Sequence, residues 1–197
     1  MIPRAEFRVF GQGLIADLQP HLWNSHAALQ QMRRMPKEMY FLSRRASGAN
    51  VKVRDELLDI KIRTSVTPEG FEVFEPKGKF QFPITNENLA LIAAALKVSL
   101  PEPIALAGLV SYDDFVAMAQ AHPDLAVVEV DKVRWGFAID GVTCEYAQVF
   151  FNGAMIETAC VESERHDAMP AVIESLGLAG RANTNYLAAA RQIIGLH

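Results

Sequence analysis

Asn50-Val-Lys-Val-Arg-Asp-Glu-Leu-Leu-Asp-Ile-Lys-Ile-Arg63 is the stretch whose reading decides the fold. It predicts two short strands joined by a turn at Asp55-Glu56. In the first strand Val51 and Val53 share one face, and Lys52 and Arg54 share the other. In the second, Leu58, Ile60 and Ile62 lie opposite Asp59, Lys61 and Arg63. Strand side chains alternate with a period of two, so pairing the strands makes one aliphatic face and one cationic face. Cations this close repel one another unless water or anions surround them.

The flanking chain supplies more sheet and several helices. Pro3 to Phe10 reads as a strand with Arg4, Glu6 and Arg8 on one face and Ala5, Phe7 and Val9 on the other. Gly11-Gln-Gly13 breaks it as a turn, since no full phosphate-loop pattern surrounds these glycines. From Leu14 to Met35 apolar positions recur at helical spacing, which predicts two helical pieces divided at Pro20. Met39 to Leu42 reads as a strand and Ser43 to Gly48 as a polar loop. Phe71 to Glu75 and Lys79 to Phe82 alternate around a turn at Pro76-Lys-Gly78, placing Lys79 and Gln81 on one face.

Helices are predicted over Asn86 to Lys97, after Ser111 (whose spacing to Asp114 is that of a capping box), near Met169 to Leu176, and over Asn183 to Ile194. Ile104 to Val110 reads as a short strand. Asp140-Gly141 and Asn152-Gly153 are two-residue hairpin signals. They divide the last third into strands Val127–Ile139, Thr143–Phe151 and Ala154–Glu164. Lys132 and Arg134 share a face of the first, and Glu162 and Glu164 a face of the third.

Of the 197 residues, 50% are hydrophobic and 21% charged, which is enough apolar material for a filled core. The net charge of -4 argues against non-specific nucleic-acid binding, which needs a basic surface. Cys144 and Cys160 form no zinc-type pattern, and a reduced cytoplasmic setting is expected. No apolar run approaches the ~20 residues of a membrane span, and the N-terminus has no signal-peptide core. A membrane partner is therefore not expected.

Charged faces on so many strands admit two readings. In one they form the wet side of an open sheet. In the other the sheet curls into a barrel with its charges inside and its aliphatic face against the helices. The second is favoured by the number of apolar helices that need a sheet to cover. It is also favoured by the separation of Lys52, Arg54, Lys61, Arg63, Lys132 and Arg134 from Glu6, Glu145, Glu162 and Glu164 on different strands. Such a hollow is a receptor for a small phosphorylated anion: guanidinium groups grip phosphate oxygens in pairs and ammonium groups add point charge. Clustered glutamates beside them suit Mg²⁺ or Mn²⁺.

The chain resembles the CYTH superfamily, the triphosphate tunnel metalloenzymes. Arg4-Ala-Glu-Phe-Arg8 stands where the family has Glu-x-Glu-x-Lys, so Arg4 replaces the first glutamate and Arg8 the lysine. Tyr40-Phe-Leu42, Lys52-Val-Arg54, Asp59-Ile-Lys61, Lys132-Val-Arg134, Asp140-Gly141, Glu145, Glu162-Ser-Glu164 and Asn185-Tyr186 follow in the family's order. The resemblance implies an α+β fold over residues 1–197: an antiparallel, roughly eight-stranded tunnel with helices packed outside.

The resemblance further implies a divalent-metal-dependent phosphohydrolase acting on a triphosphate such as inorganic tripolyphosphate. Glu6, Glu162 and Glu164 would hold metal, and Glu145, Glu162 and Glu164 would be catalytic. Arg8, Lys52, Arg54, Lys61, Arg63, Lys79, Lys132 and Arg134 would bind phosphate. Arg4 subtracts a metal ligand and adds positive charge, which favours the alternative of a tunnel that binds a polyphosphate without cleaving it. A class IV-type adenylyl cyclase is a further alternative, and a homodimer is left open.

Overall fold

The computed structural model describes residues 3–23, 28–101 and 108–197. In chain order the elements are β1 (Ala5–Gly11), α1 (Leu14–Trp23), β2 (Ala28–Arg34), β3 (Glu38–Ser43), β4 (Ala46–Arg54) and β5 (Leu57–Val66). Then come β6 (Glu72–Gln81), β7 (Ile84–Thr85), α2 (Asn86–Leu96), β8 (Leu109–Val110) and α3 (Tyr112–Ala121). The last third holds β9 (Leu125–Ile139), β10 (Val142–Phe151), β11 (Ala154–Ser163), a 3₁₀ turn (His166–Ala168), α4 (Met169–Ser175) and α5 (Tyr186–Ile194).

The opening hairpin forms as its alternation predicts. β4 and β5 pair antiparallel with Val51 opposite Ile60, Lys52 opposite Asp59 and Val53 opposite Leu58. Both turn residues, Asp55 and Glu56, have positive φ (51° and 55°), the backbone of a tight primed turn whose twist matches its strands. Asp140-Gly141 and Asn152-Gly153 do the same between β9, β10 and β11.

The sheet closes on itself. Antiparallel pairing runs β10-β11-β1-β6-β5-β4-β3-β9, and β9 returns to β10, giving an eight-stranded barrel. β2 continues the line of β3 along β9: β3 pairs with Leu125 to Val130 and β2 with Val133 to Ala138. The weakest seam is between β1 and β6, which share only the Ala5–Val73 and Glu6–Glu72 pairs. Beyond those pairs the segment before α5 stitches the gap. The Arg8 amide donates to Asn183 Oδ1 (2.9 Å), the Thr184 amide donates to Arg8 O (2.7 Å), and Asn183 Nδ2 donates to Gly70 O (2.8 Å).

Three apolar layers follow from the alternation. Val51, Val53, Leu58 and Ile60 are buried outside the barrel under Leu89 and Ile92 of α2 and Phe115 and Ala119 of α3. Ala5, Phe7, Val9 and Val161 are covered by Leu14 and Leu18 of α1 and Val172 and Ile173 of α4. Each such aliphatic side chain contributes about 1.5–3 kcal/mol when fully buried, so the faces that carry them turn toward the helices and leave the charged faces to the interior. The third layer is internal. Tyr40, Val128, Val130 and Val149 face inward and pack on Tyr186, Leu187 and Ala190, so α5 closes one end of the barrel from within.

Three expectations are corrected. Ser43 to Gly48 is not a loop: Ser43 ends β3 and β4 begins at Ala46. Leu14 to Met35 is not two helical pieces: Pro20 lies inside a single α1, and Ala28–Arg34 is strand β2. Pairing with β9 overrides the helical spacing of Leu29 and Met32. The expected turn at Pro76-Lys-Gly78 is instead a bulge within one continuous β6, where the register slips between Ile60 and Lys61 on the partner strand. The strand expected to begin at Ile104 falls largely outside the described residues; Leu109–Val110 pairs with Ile84–Thr85. No described helix is long and apolar enough to cross a membrane.

A candidate anion-binding tunnel

The inward faces of β1, β3, β4, β5, β6, β9, β10 and β11 enclose a cavity of about 390 Å³, with Asn185, Tyr186 and Leu187 of the plugging segment at one end. Lys52 and Asn50 reach it from β4, Lys61 from β5, and Lys132 and Arg134 from β9. Glu6 and Arg8 reach it from β1, Glu72 from β6, Glu145 from β10 and Glu162 from β11. A second hollow of about 180 Å³ continues past Arg8, Arg134 and Glu145 toward Thr143 and Cys160.

The cations are organised by carboxylates. Glu38, fully buried at the start of β3, accepts from Lys52 (3.0 Å), Lys132 (2.8 Å) and Arg54 (3.4 Å). Burial opposes its charge, but Lys132 and Lys52 prevail and lower its pKa to about 2. Glu145 sits between Arg8 (3.2 Å) and Arg134 (2.8 Å). Burial pushes it up, and Arg8, Lys132 and Arg134 outweigh that and hold it below the usual carboxylate range. Burial pushes the Lys132 ammonium down, against the pull of Glu38. Lys61 has no ion-pair partner among the described residues and is exposed to the cavity.

The registers place three inward glutamates side by side: Glu162 opposite Glu6, and Glu6 opposite Glu72, on β11, β1 and β6. Like charges directly opposite one another destabilise a sheet unless neutralised. Here each carboxylate meets a guanidinium: Arg4 at 3.6 Å from Glu162, Arg8 at 2.8 Å from Glu6, and Arg63 at 2.5 Å from Glu72. Asn185 Nδ2 also donates to Glu72 (2.7 Å). Among the described residues no three Asp, Glu, His or Cys side chains converge on a point that a metal ion could occupy. The donor type suits a hard divalent ion, but the row as placed is already matched by arginines and does not fit one.

Among the described residues, two buried polar atoms at the cavity, Tyr186 Oη and Asn50 Oδ1, have no partner. Burial holds Tyr186 firmly in its phenol form, so its hydroxyl is a donor with nothing in the described chain to donate to. The Arg8 guanidinium stacks 4.6 Å from the Tyr186 ring and Lys132 Nζ lies 5.0 Å from it. An unpaired buried hydroxyl costs about 1–3 kcal/mol. Beside a nest of cations, a water molecule or a ligand oxygen entering the cavity would supply the missing partner.

Of the residues singled out in the sequence, Glu6, Arg8, Lys52, Lys61, Lys132, Arg134, Glu145 and Glu162 meet at the cavity. Arg54 is tied back to Glu38, and Arg63 to Glu72 at the tunnel's edge. Lys79 is exposed opposite Asp59 and is not among the residues that line the cavity. Glu164 lies past the end of β11, half exposed, with Arg4 at 4.0 Å. The expected Glu6/Glu162/Glu164 set is therefore not assembled, and Glu72 takes the third place in the row.

The sequence does not single out Glu38 or Glu72. A strand beginning at Met39 leaves out Glu38, although Glu38 alternates with Tyr40 and so shares its inward face. Glu72 lies within an alternating run whose register with Glu6 no local pattern shows.

No family model and no curated protein matches the chain. Solved structures do. A conserved hypothetical protein from Pyrococcus furiosus superposes with a TM-score of 0.53 at 15% identity, covering 93% of this chain and 98% of that one. A candidate adenylyl cyclase from Hippeastrum, described as having a dominant triphosphatase activity, gives 0.53 at 13% identity over 98% and 96%. The chain has the CYTH tunnel fold. At these identities the likeness speaks to the fold, and the CYTH barrel is the closed eight-stranded, helix-covered one described above.

Proposed function

We propose that this CYTH tunnel binds a small linear polyphosphate of the tripolyphosphate class, and that Lys52, Lys61, Lys132 and Arg134 hold its oxygens. The observation that carries the reading is the barrel cavity that these cations line together with a Tyr186 hydroxyl that has no partner among the described residues. Such a hollow disfavours cations and selects dense negative charge that can accept from several donors at once. Binding without a resident metal is supported by the arginines already set against Glu6, Glu72 and Glu162.

Hydrolysis of the triphosphate with Mg²⁺ or Mn²⁺ is the second reading. It is favoured by the triphosphatase activity described for the Hippeastrum protein of the same fold, and it requires the Glu162–Glu6–Glu72 row to release its arginines first. Calorimetric titration of tripolyphosphate in EDTA, paired with phosphate release in Mg²⁺ and Mn²⁺, separates the two. Saturable one-site binding in EDTA with no phosphate release supports the first reading. Binding and release that both require the metal replace it with the second, and formation of cyclic AMP and pyrophosphate from ATP replaces both with a cyclase.

A further inference from the structure

We propose that Glu38 is a positioning residue for the anion: its buried carboxylate gathers Lys52, Arg54 and Lys132 and keeps the Lys132 side chain cationic inside the tunnel. The proposal rests on the polyphosphate-binding reading of the cavity. A carboxylate with no solvent exposure is an unexpected component of an anion receptor, because it repels the ligand. It is retained where it serves the cations, and the geometry shows how. Both Glu38 oxygens are used, Oε1 by Lys52 and Arg54 and Oε2 by Lys132.

Lys132 depends on Glu38 most. Its side chain is only 10% exposed, and no other carboxylate is hydrogen-bonded to it among the described residues. The charged and titratable groups facing it are Glu38 from β3, Lys52 from β4, Glu145 from β10 and the Tyr186 ring from α5. Burial and Lys52 disfavour its charge, while Glu38, and less strongly Glu145, favour it. Without Glu38 the largest contribution favouring its charge is lost, and a neutral amine binds phosphate oxygens poorly.

The test is calorimetric titration of tripolyphosphate in EDTA between pH 6 and 9.5, at constant ionic strength, with folding checked by circular dichroism. Tripolyphosphate itself loses protons over this range, so each variant is read against the unmodified chain at the same pH. Relative to that chain, the affinity of Glu38→Gln should fall at least tenfold further as pH rises. Adding Lys132→Arg to Glu38→Gln should bring the profile back parallel to that of the unmodified chain, because guanidinium keeps its charge. If Glu38→Gln does not fold, Glu38→Asp, which keeps the charge on a shorter arm, should show part of the same fall. A Glu38→Gln or Glu38→Asp profile parallel to that of the unmodified chain overturns the proposal, and so does failure of Lys132→Arg to restore a parallel one. An unmodified chain that takes up no tripolyphosphate at any pH overturns the reading of the tunnel itself.

Discussion

The Arg4 guanidinium lies 3.6 Å from the Glu162 carboxylate and 4.0 Å from Glu164, so a cation from just before β1 sits beside the tunnel's acidic row. Replacing it with glutamate removes that positive charge and adds a carboxylate beside Glu6 and Glu162. Arg4→Glu should therefore bind Mn²⁺ at least tenfold more tightly than the unmodified chain, measured by electron paramagnetic resonance of free Mn²⁺. Equal Mn²⁺ affinity in the two chains would show that Arg4 does not keep metal out.

Lys61 faces the cavity with no ion-pair partner among the described residues, whereas Lys132 is tied to Glu38. Its charge is free for a ligand and supports little else. Lys61→Met should weaken tripolyphosphate binding by about tenfold or more, the loss of one charge-assisted hydrogen bond, while the melting temperature barely moves. Unchanged affinity would place the ligand away from β5.

The Tyr186 hydroxyl offers a second separation of binding from folding. Phenylalanine removes a buried group that has no partner in the described chain, so Tyr186→Phe should melt at the same temperature or higher. Its affinity for tripolyphosphate should fall by roughly three- to tenfold, the worth of about 1 kcal/mol of hydrogen bond. A loss of thermal stability without a loss of affinity would assign the hydroxyl a structural partner instead.

Acid should unfold the chain through Glu38 and Glu145, whose carboxyls are both held below their usual range. A lowered folded pKa stabilises the fold above the unfolded value and loses that contribution as pH drops toward the folded one. For Glu38 the window runs from about 4.5 down to about 2 and is worth on the order of 3 kcal/mol. Urea midpoints measured from pH 6 to pH 2.5 should fall steeply below pH 4.5. Glu38→Gln should start lower and lose less of its stability across that window.

Much of the tunnel was legible because period-two alternation is a local property. Val51 and Lys52 declare their faces without help from the rest of the chain, and Asp140-Gly141 and Asn152-Gly153 declare their turns. What was not legible depends on contacts between distant segments. β2 is a strand because β9 is there to pair with it, and nothing in Ala28–Arg34 alone announces that. The row of Glu162, Glu6 and Glu72 exists only once β11, β1 and β6 are in register. Glu38 read as the residue before a strand; it becomes the hub of three cations because β4 and β9 flank β3 on either side.

A structure of the chain soaked with tripolyphosphate in EDTA tests the central claim most directly. The predicted result is one phosphate chain inside the barrel, with oxygens within hydrogen-bond distance of Lys52, Lys61, Lys132 or Arg134 and of the Tyr186 hydroxyl. An empty barrel, with the anion bound only to exposed arginines such as Arg33 and Arg34, would contradict it.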